Sequence, residues 1–204
     1  MLGRPVELVI EDDQTTNSGV VLAFTKLAGD KDIPAFIGPI RSTSVHAMAP
    51  DVQRLGKPVM IGGTDPQLTH MGNPWLFRFR PNDIYSARVI ADYGVKTLGK
   101  KKWAIVHSTD AFGTSGMKKL VEDLKGMDVE PALVQGYTNN SQDFTPVVLA
   151  VKQSSVDVMA TYMTFGADQA IFASEGGPAR QATLAVASIN ATHLTPIVCD
   201  PEAV

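Results

Sequence analysis

Short apolar runs alternate with segments in which apolar residues recur at every third or fourth position, from residue 5 to about residue 173. The runs have the length and the β-branched content of buried strands, whereas the recurring positions are typical of amphipathic helices. Strands are predicted at residues 5–10, 34–37, 58–61, 75–79, 103–106, 132–134 and 156–162. Helices are predicted to begin near residues 17, 42, 83, 114, 141 and 166, with a short helical turn at 64–66.

Strand and helix alternate about six times, with short connections between them. This order predicts an α/β protein with parallel sheets that are covered by helices through right-handed crossovers. Ligands of such sheets bind beyond the carboxyl ends of the strands. After residue 173 the pattern weakens, although residues 181–190 fit a helix and residues 195–199 fit a short strand. The loops of interest are residues 38–44, 62–69, 108–116 and 163–168.

The composition is that of an ordinary globular protein and argues against several classes of function. Of the 204 residues, 44% are apolar and 19% are charged, and the net charge of -3 comes without a basic stripe, so we expect no nucleic-acid partner. The single cysteine, Cys199, excludes an intrachain disulfide and a cysteine-based zinc site. No apolar run reaches the roughly 18 residues that a membrane-spanning helix needs, so we expect no direct insertion into a membrane.

The loop at residues 38–44 carries the best candidate for a binding site. The apolar run ends at Gly38, and Ser42, Thr43 and Ser44 follow at the start of a predicted helix. The free N–H groups and the positive end of the helix dipole favour an anion there. Because no lysine supplies charge, a carboxylate fits this loop better than a triphosphate. The alternative interpretation is that the three hydroxyl residues only cap the helix.

Motifs for nucleotide binding and for catalysis are missing from the sequence: there is no Gly-x-Gly-x-x-Gly after a strand, no phosphate loop and no Gly-x-Ser-x-Gly. His107 lies near Asp110 and is compatible with a general base, but a polar residue at a sheet rim is the better interpretation. The loop that begins at Asp110 is better interpreted as a helix cap than as an anion site. The acidic residues 11–13 fit a cation site less well than a solvated strand end. We therefore expect binding without enzymatic activity, without a cofactor and without a metal.

Six sequence blocks carry a resemblance to a known family. In chain order they are GRPVELVIEDD (3–13), FIGP (36–39) with Ser42, PVMIGGTDPQLT (58–69), FRFRPND (77–83), AIVH with FG (104–107 and 112–113) and DFTP (143–146). Together they resemble the substrate-binding proteins of branched-chain-type amino-acid ABC transporters, the leucine-binding-like members of the type I periplasmic binding proteins. The resemblance covers residues 3 to about 173.

The resemblance implies two flavodoxin-like (Rossmann-like) lobes with parallel sheets, which close on a ligand about a hinge. The first lobe is expected at residues 1–81. The second lobe is expected at residues 82–204, of which residues 174–204 are left unassigned. The chain would cross between the lobes near residues 80–82.

The same resemblance assigns roles to individual residues. Ser42 would hold the ligand carboxylate through its hydroxyl group and nearby backbone N–H groups. Gly62 and Thr64 would hold the carboxylate and the ammonium group through backbone groups and the Thr hydroxyl. In the second lobe, family members place an aromatic residue, often Tyr, over the ligand, and a second contact follows later in the chain. The residues at these two places are Phe112 and either Thr164 or Phe165.

The chain departs from the family pattern at both ends. Family members begin with a signal peptide, a first strand and a first helix, whereas this chain starts at the second strand and shows no signal peptide. In a sheet with the order 2-1-3-4-5, the missing strand would lie between residues 5–10 and 34–37. The acidic residue that pairs with the ligand ammonium is expected downstream of residue 174, where Asp200 and Glu202 are guesses. We therefore expect a truncated or disrupted copy of the family, without the first strand–helix unit and the C-terminal part.

One main hypothesis and two alternatives follow. The main hypothesis is a periplasmic solute-binding protein of an ABC transporter, which binds an amino acid, an amide or an aromatic acid and delivers it to a membrane permease. The first alternative is a soluble ligand sensor or regulator with the same fold, which a neighbouring regulator gene would favour. The second is a flavodoxin-type or Rossmann-type enzyme, against which the missing phosphate motif counts. Phe112 carries no hydroxyl group and favours an apolar or aromatic ligand.

Overall fold

The computed structural model of the chain describes residues 5–175, 184–185 and 197–198. The chain divides into two compact units. Unit 1 consists of Met1–Gly63 and Gln67–Arg80, and unit 2 consists of Thr64–Pro66 and Pro81–Val204. The assignment of two ligand-binding lobes, at residues 1–81 and 82–204, stays a prediction.

Unit 1 contains a three-stranded parallel sheet and two helices. The strands are β1 (Phe36–Ile37), β2 (Val59–Ile61) and β3 (Leu76–Arg78), which lie in the order β1-β2-β3. The helices are α1 (Asn17–Gly29) and α2 (Ser42–Leu55), and a 3-10 turn at Pro66–Thr69 follows β2. All of these elements except the turn coincide with predicted segments, so the predicted alternation of strand and helix is confirmed here.

One face of the unit 1 sheet forms the core with the two helices. Side chains alternate between the two faces of a strand, and this alternation directs Val59 and Ile61 to the same face. Both of these residues pack in one cluster with buried residues of α1 and α2. The rings of Phe24 in α1 and Phe36 in β1 meet edge to face, with centroids 5.0 Å apart.

The opposite face of this sheet carries an exposed apolar row. Ile37 pairs with Met60, and Met60 pairs with Phe77, so the three side chains stand side by side across the strands. Their exposed fractions are 79%, 44% and 50%. Parallel sheets usually have cover on both faces. The described residues of unit 1 provide that cover on one face.

The prediction of a strand at residues 5–10 is wrong. The structure shows no strand there, and the apolar side chains of this segment are more than half exposed. A strand is stable only where a neighbouring strand supplies acceptors for its N–H groups and donors for its C=O groups. In the described part of unit 1, β1, β2 and β3 pair only with one another. Residues 5–10 therefore lie outside the sheet, although their pattern is that of a strand.

Unit 2 contains a second three-stranded parallel sheet. Its strands are β4 (Trp103–Ser108), β5 (Leu133–Tyr137) and β6 (Val158–Tyr162), in the order β5-β4-β6. Its helices are α3 (Asp83–Asp92), α4 (Ala111–Lys125), α5 (Thr145–Gln153) and α6 (Gly166–Ser174). A two-stranded antiparallel pair, β7 (Leu184–Ala185) and β8 (Ile197–Val198), follows.

Helices cover both faces of the unit 2 sheet. Trp103 and Ile105 of β4 point into a core that they share with α3 and α4. The alternate residues, Ala104 and Val106, point into a second core with α5 and α6. All six residues of β4 are buried. A central strand that is buried on both faces is what the continuous apolar run at residues 103–106 predicts, so the predicted α/β architecture with parallel sheets is confirmed.

Several helix boundaries in the structure differ from the predicted ones. The helix predicted from residue 83 is α-helical to Asp92 and continues as a π-helical turn at Tyr93–Thr97. The helix predicted near residue 141 begins at Thr145, with a proline in its first turn, where the missing N–H group is harmless. The helix predicted at 181–190 is wrong at Leu184–Ala185, which forms a strand, and its other residues lie outside the described part. No helix among the described residues is long and apolar enough to cross a membrane.

Candidate functional site

The carboxyl ends of β1 and β2 are joined by backbone hydrogen bonds in unit 1. Gly38 has a φ of 112°, which only glycine adopts readily, and its N–H donates to the carbonyl of Met60 over 2.8 Å. The N–H of Gly62 donates to the carbonyl of Pro39 over 3.0 Å. The two loops that the sequence singled out in unit 1 therefore begin side by side, in a fixed arrangement.

Ser42 lies at the first position of α2 and is 1% exposed. The N-cap residue is Arg41, whose side chain makes no capping hydrogen bond. A guanidinium group has no acceptor atom to offer to backbone N–H groups. Ser42, Thr43 and Ser44 therefore lie inside the first turn and not at the N-cap position, and the choice between a capping role and a ligand-binding role for their hydroxyl groups stays a prediction.

Gly62 and Gly63 bring the loop after β2 against the start of α2. A Cβ atom added to Gly63 would lie 3.2 Å from the Cα atom of Ser42, and one added to Gly62 would lie 3.3 Å from the Cα atom of Ile40. Side chains at these positions would push the two loops apart. The structure thus brings Ser42 and the Gly62 loop together, as the resemblance implied, while their contact with a ligand stays a prediction.

Thr64 is 3% exposed and belongs to unit 2 by its contacts. Its carbonyl oxygen accepts the N–H of Asp83, at the start of α3, over 2.9 Å. The fully buried side chain of Asp83 in turn accepts the hydroxyl of Ser115 in α4 over 3.0 Å. Thr64 is therefore held at the base of the α3–α4 pair, and its predicted role toward a ligand ammonium stays a prediction.

Asp110 is the polar centre at the carboxyl ends of the unit 2 strands. One oxygen, Oδ1, accepts the N–H of Gly113 and the hydroxyl of Ser108, each over 2.9 Å. The other oxygen, Oδ2, accepts the hydroxyl of Thr164 over 2.6 Å and the side-chain amide of Asn139 over 2.8 Å. Burial alone would raise the pKa of Asp110, but these four hydrogen bonds lower it overall, because they stabilise the charged form.

The aromatic candidate Phe112 lies in the first turn of α4. It is half-buried, and its ring meets the buried ring of Tyr162 edge to face at a centroid distance of 5.8 Å. Phe165 is the N-cap residue of α6, is partly exposed and makes no side-chain capping bond. Both phenylalanines therefore lie at the carboxyl edge of the sheet, near the ends of β4 and β6. Whether Thr164 or Phe165 corresponds to the second family position is a prediction that stays open.

The polar cluster around Asp110 is the part of the site that sequence reasoning did not assemble. The helix cap at Asp110 was predicted and is confirmed. Asn139 and Thr164 lie 29 and 54 residues from Asp110 along the chain, so no local spacing predicts their contact with it. The Ser-x-Asp at the end of β4, residues 108–110, is a weak signal of such a cluster, since short polar side chains at a strand end commonly bond to the next helix.

The remaining candidates have other partners. His107 is 7% exposed, and its Nδ1 atom lies 2.8 Å from the carbonyl of Ser108, so its interpretation as a polar residue at the sheet rim is confirmed. Glu11 forms an ion pair with Lys26 at 2.6 Å, and Asp12 accepts a backbone N–H two residues on. Among the described residues, no group of three or more His, Cys, Asp or Glu residues could hold a metal ion. Asp200 and Glu202 lie outside the described residues.

Comparisons with known proteins give a consistent family. A family profile described as "Periplasmic binding protein" matches residues 1–197. The "Amino acid binding protein" of Pseudomonas aeruginosa is 27% identical over 158 residues, which are 77% of this chain and 42% of that protein. The chain therefore spans less than half the length of this relative.

Solved structures share the fold. A leucine binding protein LivK from Thermotoga maritima superposes with a TM-score of 0.79 at 19% identity, over 90% of this chain and 53% of that chain. A solute binding protein of an ABC transporter from R. palustris, in complex with 4-hydroxybenzoate, superposes with a TM-score of 0.74 at 17% identity, over 83% of this chain and 47% of that chain. At these identities the likeness concerns the fold.

Proposed function

The chain belongs to the periplasmic binding protein family, and we propose that it serves as a substrate-binding component of an ABC transporter, with an amino acid or a related small carboxylate as ligand. The proposed mechanism is reversible binding without chemical change. The place of action would be the periplasm, and the proposed recipient is a membrane permease. Relatives and structural neighbours that are named for amino acids or solved with an aromatic acid support this class of ligand.

The observation that carries the proposal is the start of α2 in unit 1. The N–H groups of a first helical turn and the positive end of the helix dipole attract an anion. Here the N-cap residue supplies no side-chain acceptor, and the Ser42 hydroxyl lies in that same turn. Two strand-end loops are held beside it by the hydrogen bonds of Gly38 and Gly62. We propose that Ser42 and Gly62 bind the ligand carboxylate, and that Thr64 binds its ammonium group when one is present.

Unit 2 carries apolar side chains that suit an apolar part of the ligand. Phe112 and Phe165 lie at the carboxyl edge of its sheet and carry no hydrogen-bonding side-chain atom. The nearby hydroxyl of Thr164 donates its proton to Asp110. A ligand contact at Thr164 would therefore use its methyl group or its oxygen as an acceptor. We propose an aliphatic or aromatic side chain on the ligand.

Isothermal titration calorimetry of the chain tests the carboxylate claim. The probes are L-leucine, L-phenylalanine and 4-hydroxybenzoate, and L-leucinamide serves as the analogue without a carboxylate. Replacing Ser42 by Ala should weaken binding of the acids about tenfold or more, because a hydrogen bond to a charged group is worth about 1.5–3 kcal/mol. Ser154→Ala is the matched control, since the Ser154 hydroxyl donates to the carbonyl of Val151 at the end of α5, and to no other group among the described residues.

Two results would count against the proposal. Equal affinity for L-leucine and L-leucinamide would show that the carboxylate is not recognised. Equal weakening by Ser42→Ala and Ser154→Ala would show that the start of α2 has no special role. If the folded chain bound none of the probes, small carboxylates of this class would be excluded as its ligands.

A further inference from the structure

A single carboxylate connects three strand ends of unit 2. Asp110 follows β4, Asn139 follows β5 and Thr164 follows β6, and both of the latter side chains donate to Oδ2 of Asp110, at 2.8 Å and 2.6 Å. The other oxygen, Oδ1, accepts the N–H of Gly113 at 2.9 Å, which is the capping bond of α4. The two oxygens of Asp110 therefore have different tasks: Oδ1 caps a helix, and Oδ2 holds two loops.

The hydroxyl protons of this cluster are assigned by counting. Asp110 in its charged form accepts and does not donate. The proton of Thr164 lies on the 2.6 Å bond to Oδ2, so the 3.0 Å contact between Thr164 and Ser108 has the Ser108 hydroxyl as its only possible donor. Ser108 has one proton for this contact, for Oδ1 at 2.9 Å and for the carbonyl of Tyr162 at 3.3 Å. The Ser108 proton is therefore shared among three acceptors, whereas Thr164 and Asn139 both donate to Oδ2 of Asp110.

Further bonds extend this connection to the loop after β5. The N–H of Thr109 donates to the carbonyl of Tyr137 over 3.0 Å, and the N–H of Asn140 donates to the Asp168 carboxylate over 3.1 Å. Asp168 lies in the first turn of α6 and is 1% exposed. Hydrogen bonds therefore connect the loops after β4, β5 and β6 to one another.

We propose that Asp110 is a positioning residue, which fixes the loops that carry Phe112 and Phe165 and thereby sets the affinity for the ligand without touching it. This inference rests on the proposed function for its ligand and on the geometry of unit 2 for its mechanism. Oδ1 places the first turn of α4, which contains Phe112. Oδ2 places Thr164, whose neighbour Phe165 is the N-cap residue of α6.

The substitution Asp110→Ser separates the two tasks. Serine is as good an N-cap residue as aspartate, so it keeps the bond to Gly113 and the start of α4. It lacks the second oxygen and the length to reach Thr164 and Asn139. Asp143→Ser is the matched control, because Asp143 likewise accepts a nearby backbone N–H, from Thr145 two residues on at 2.8 Å. Asp143 is exposed and, among the described residues, bonds to no second strand end.

Backbone hydrogen exchange measures the positioning without a ligand. In Asp110→Ser we expect exchange at Thr109 and Asn140 to accelerate on the order of 10- to 100-fold, as for the loss of hydrogen bonds to a charged group. Exchange at Gly113 should stay within about threefold of wild type because the cap is retained. Asn139→Ala removes one donor and leaves the cap untouched, so it should accelerate exchange at Asn140 even if Asp110→Ser does not fold.

Calorimetry with L-leucine and with 4-hydroxybenzoate measures the consequence for binding. We expect Asp110→Ser to lower the affinity for the acid that wild type binds about tenfold or more. The affinity of Asp143→Ser should equal that of wild type. Unchanged exchange at Thr109 and Asn140 would overturn the positioning role and leave Asp110 as a helix cap. Accelerated exchange with unchanged affinity would overturn its connection to the ligand. A wild-type chain that binds neither probe would overturn the proposed function, and the exchange pattern would then decide the positioning role by itself.

Discussion

Gly113 offers a substitution for which helix propensity and tertiary packing predict opposite signs. It lies in the first turn of α4, one residue after Phe112. Replacing a helical glycine by alanine ordinarily stabilises a protein by about 0.5–1 kcal/mol, because alanine loses less backbone entropy on folding. At Gly113, however, an added Cβ atom would lie 2.7 Å from the amide nitrogen of Ser108 and closer still to its carbonyl oxygen. The obstacle is backbone of the buried central strand β4, which cannot move aside.

The magnitude follows from what must shift. Overpacking of a core contact costs about 1–3 kcal/mol. Moving the start of α4 away from β4 also stretches the bond from Gly113 to the charged Asp110, and losing such a bond costs about 1.5–3 kcal/mol. After the gain in propensity is subtracted, we expect Gly113→Ala to lower the free energy of unfolding by about 2–4 kcal/mol.

Urea unfolding followed by circular dichroism gives this free energy directly. Gly29→Ala is the control, because Gly29 ends α1 and an added Cβ atom there meets nothing within 4 Å. We expect that control to stabilise the protein by up to about 1 kcal/mol. If Gly113→Ala stabilises the protein as Gly29→Ala does, then α4 does not lie against the end of β4 as described, and the placement of Phe112 is wrong.

The remaining predictions concern charge, capping and burial. Because the pKa of Asp110 is lowered in the folded state, its stabilising effect is present above the unfolded pKa and is lost as the pH falls through the folded pKa. Urea unfolding between pH 7 and pH 3 should therefore show a steeper loss of stability below about pH 4 in wild type than in Asp110→Ser, and parallel curves would contradict this. Asn82 caps α3 by accepting the N–H of Ile84, so Asn82→Ala should lower the unfolding free energy by about 1 kcal/mol. Asn82→Asp should leave it nearly unchanged, because the two residues are equally good N-caps. Leu76 and Phe77 are neighbours in β3 with exposed fractions of 6% and 50%. Leu76→Ala should cost about 2–4 kcal/mol and Phe77→Ala less than about 1 kcal/mol, and equal costs would show that the outer face of the sheet is covered.

Local patterns were sufficient for most of the elements. The spacing of Val20, Phe24 and Ala28 predicts a helix with one buried face, and these are the buried residues of α1. The continuous apolar run that begins at Trp103 predicts a strand buried on both faces, and β4 is such a strand. In both cases the signal lies within a few residues. A helix forms its backbone hydrogen bonds within itself, and a central strand shows its burial as a continuous apolar run.

Features that depend on distant residues were not predictable. The run at residues 5–10 has a strand pattern but finds no partner strand in the described part of unit 1, and pairing is a property of two segments. The cluster around Asp110 joins Asn139 and Thr164 across tens of residues, so a single sequence gives only its helix-capping half. The exposure of Met60 is likewise not predictable from its apolar neighbours in the sequence, because this exposure depends on which elements cover the outer face of the sheet.

A thermal melt of the 204-residue chain with and without ligands tests the central claim most directly. A ligand that binds the folded state alone raises the melting temperature in proportion to the logarithm of its concentration. We expect such a rise with L-leucine, L-phenylalanine or 4-hydroxybenzoate at millimolar concentration, and none with L-leucinamide. A cooperative melt that none of the three acids shifts, or that L-leucinamide shifts equally, would contradict the binding of a small carboxylate by this chain.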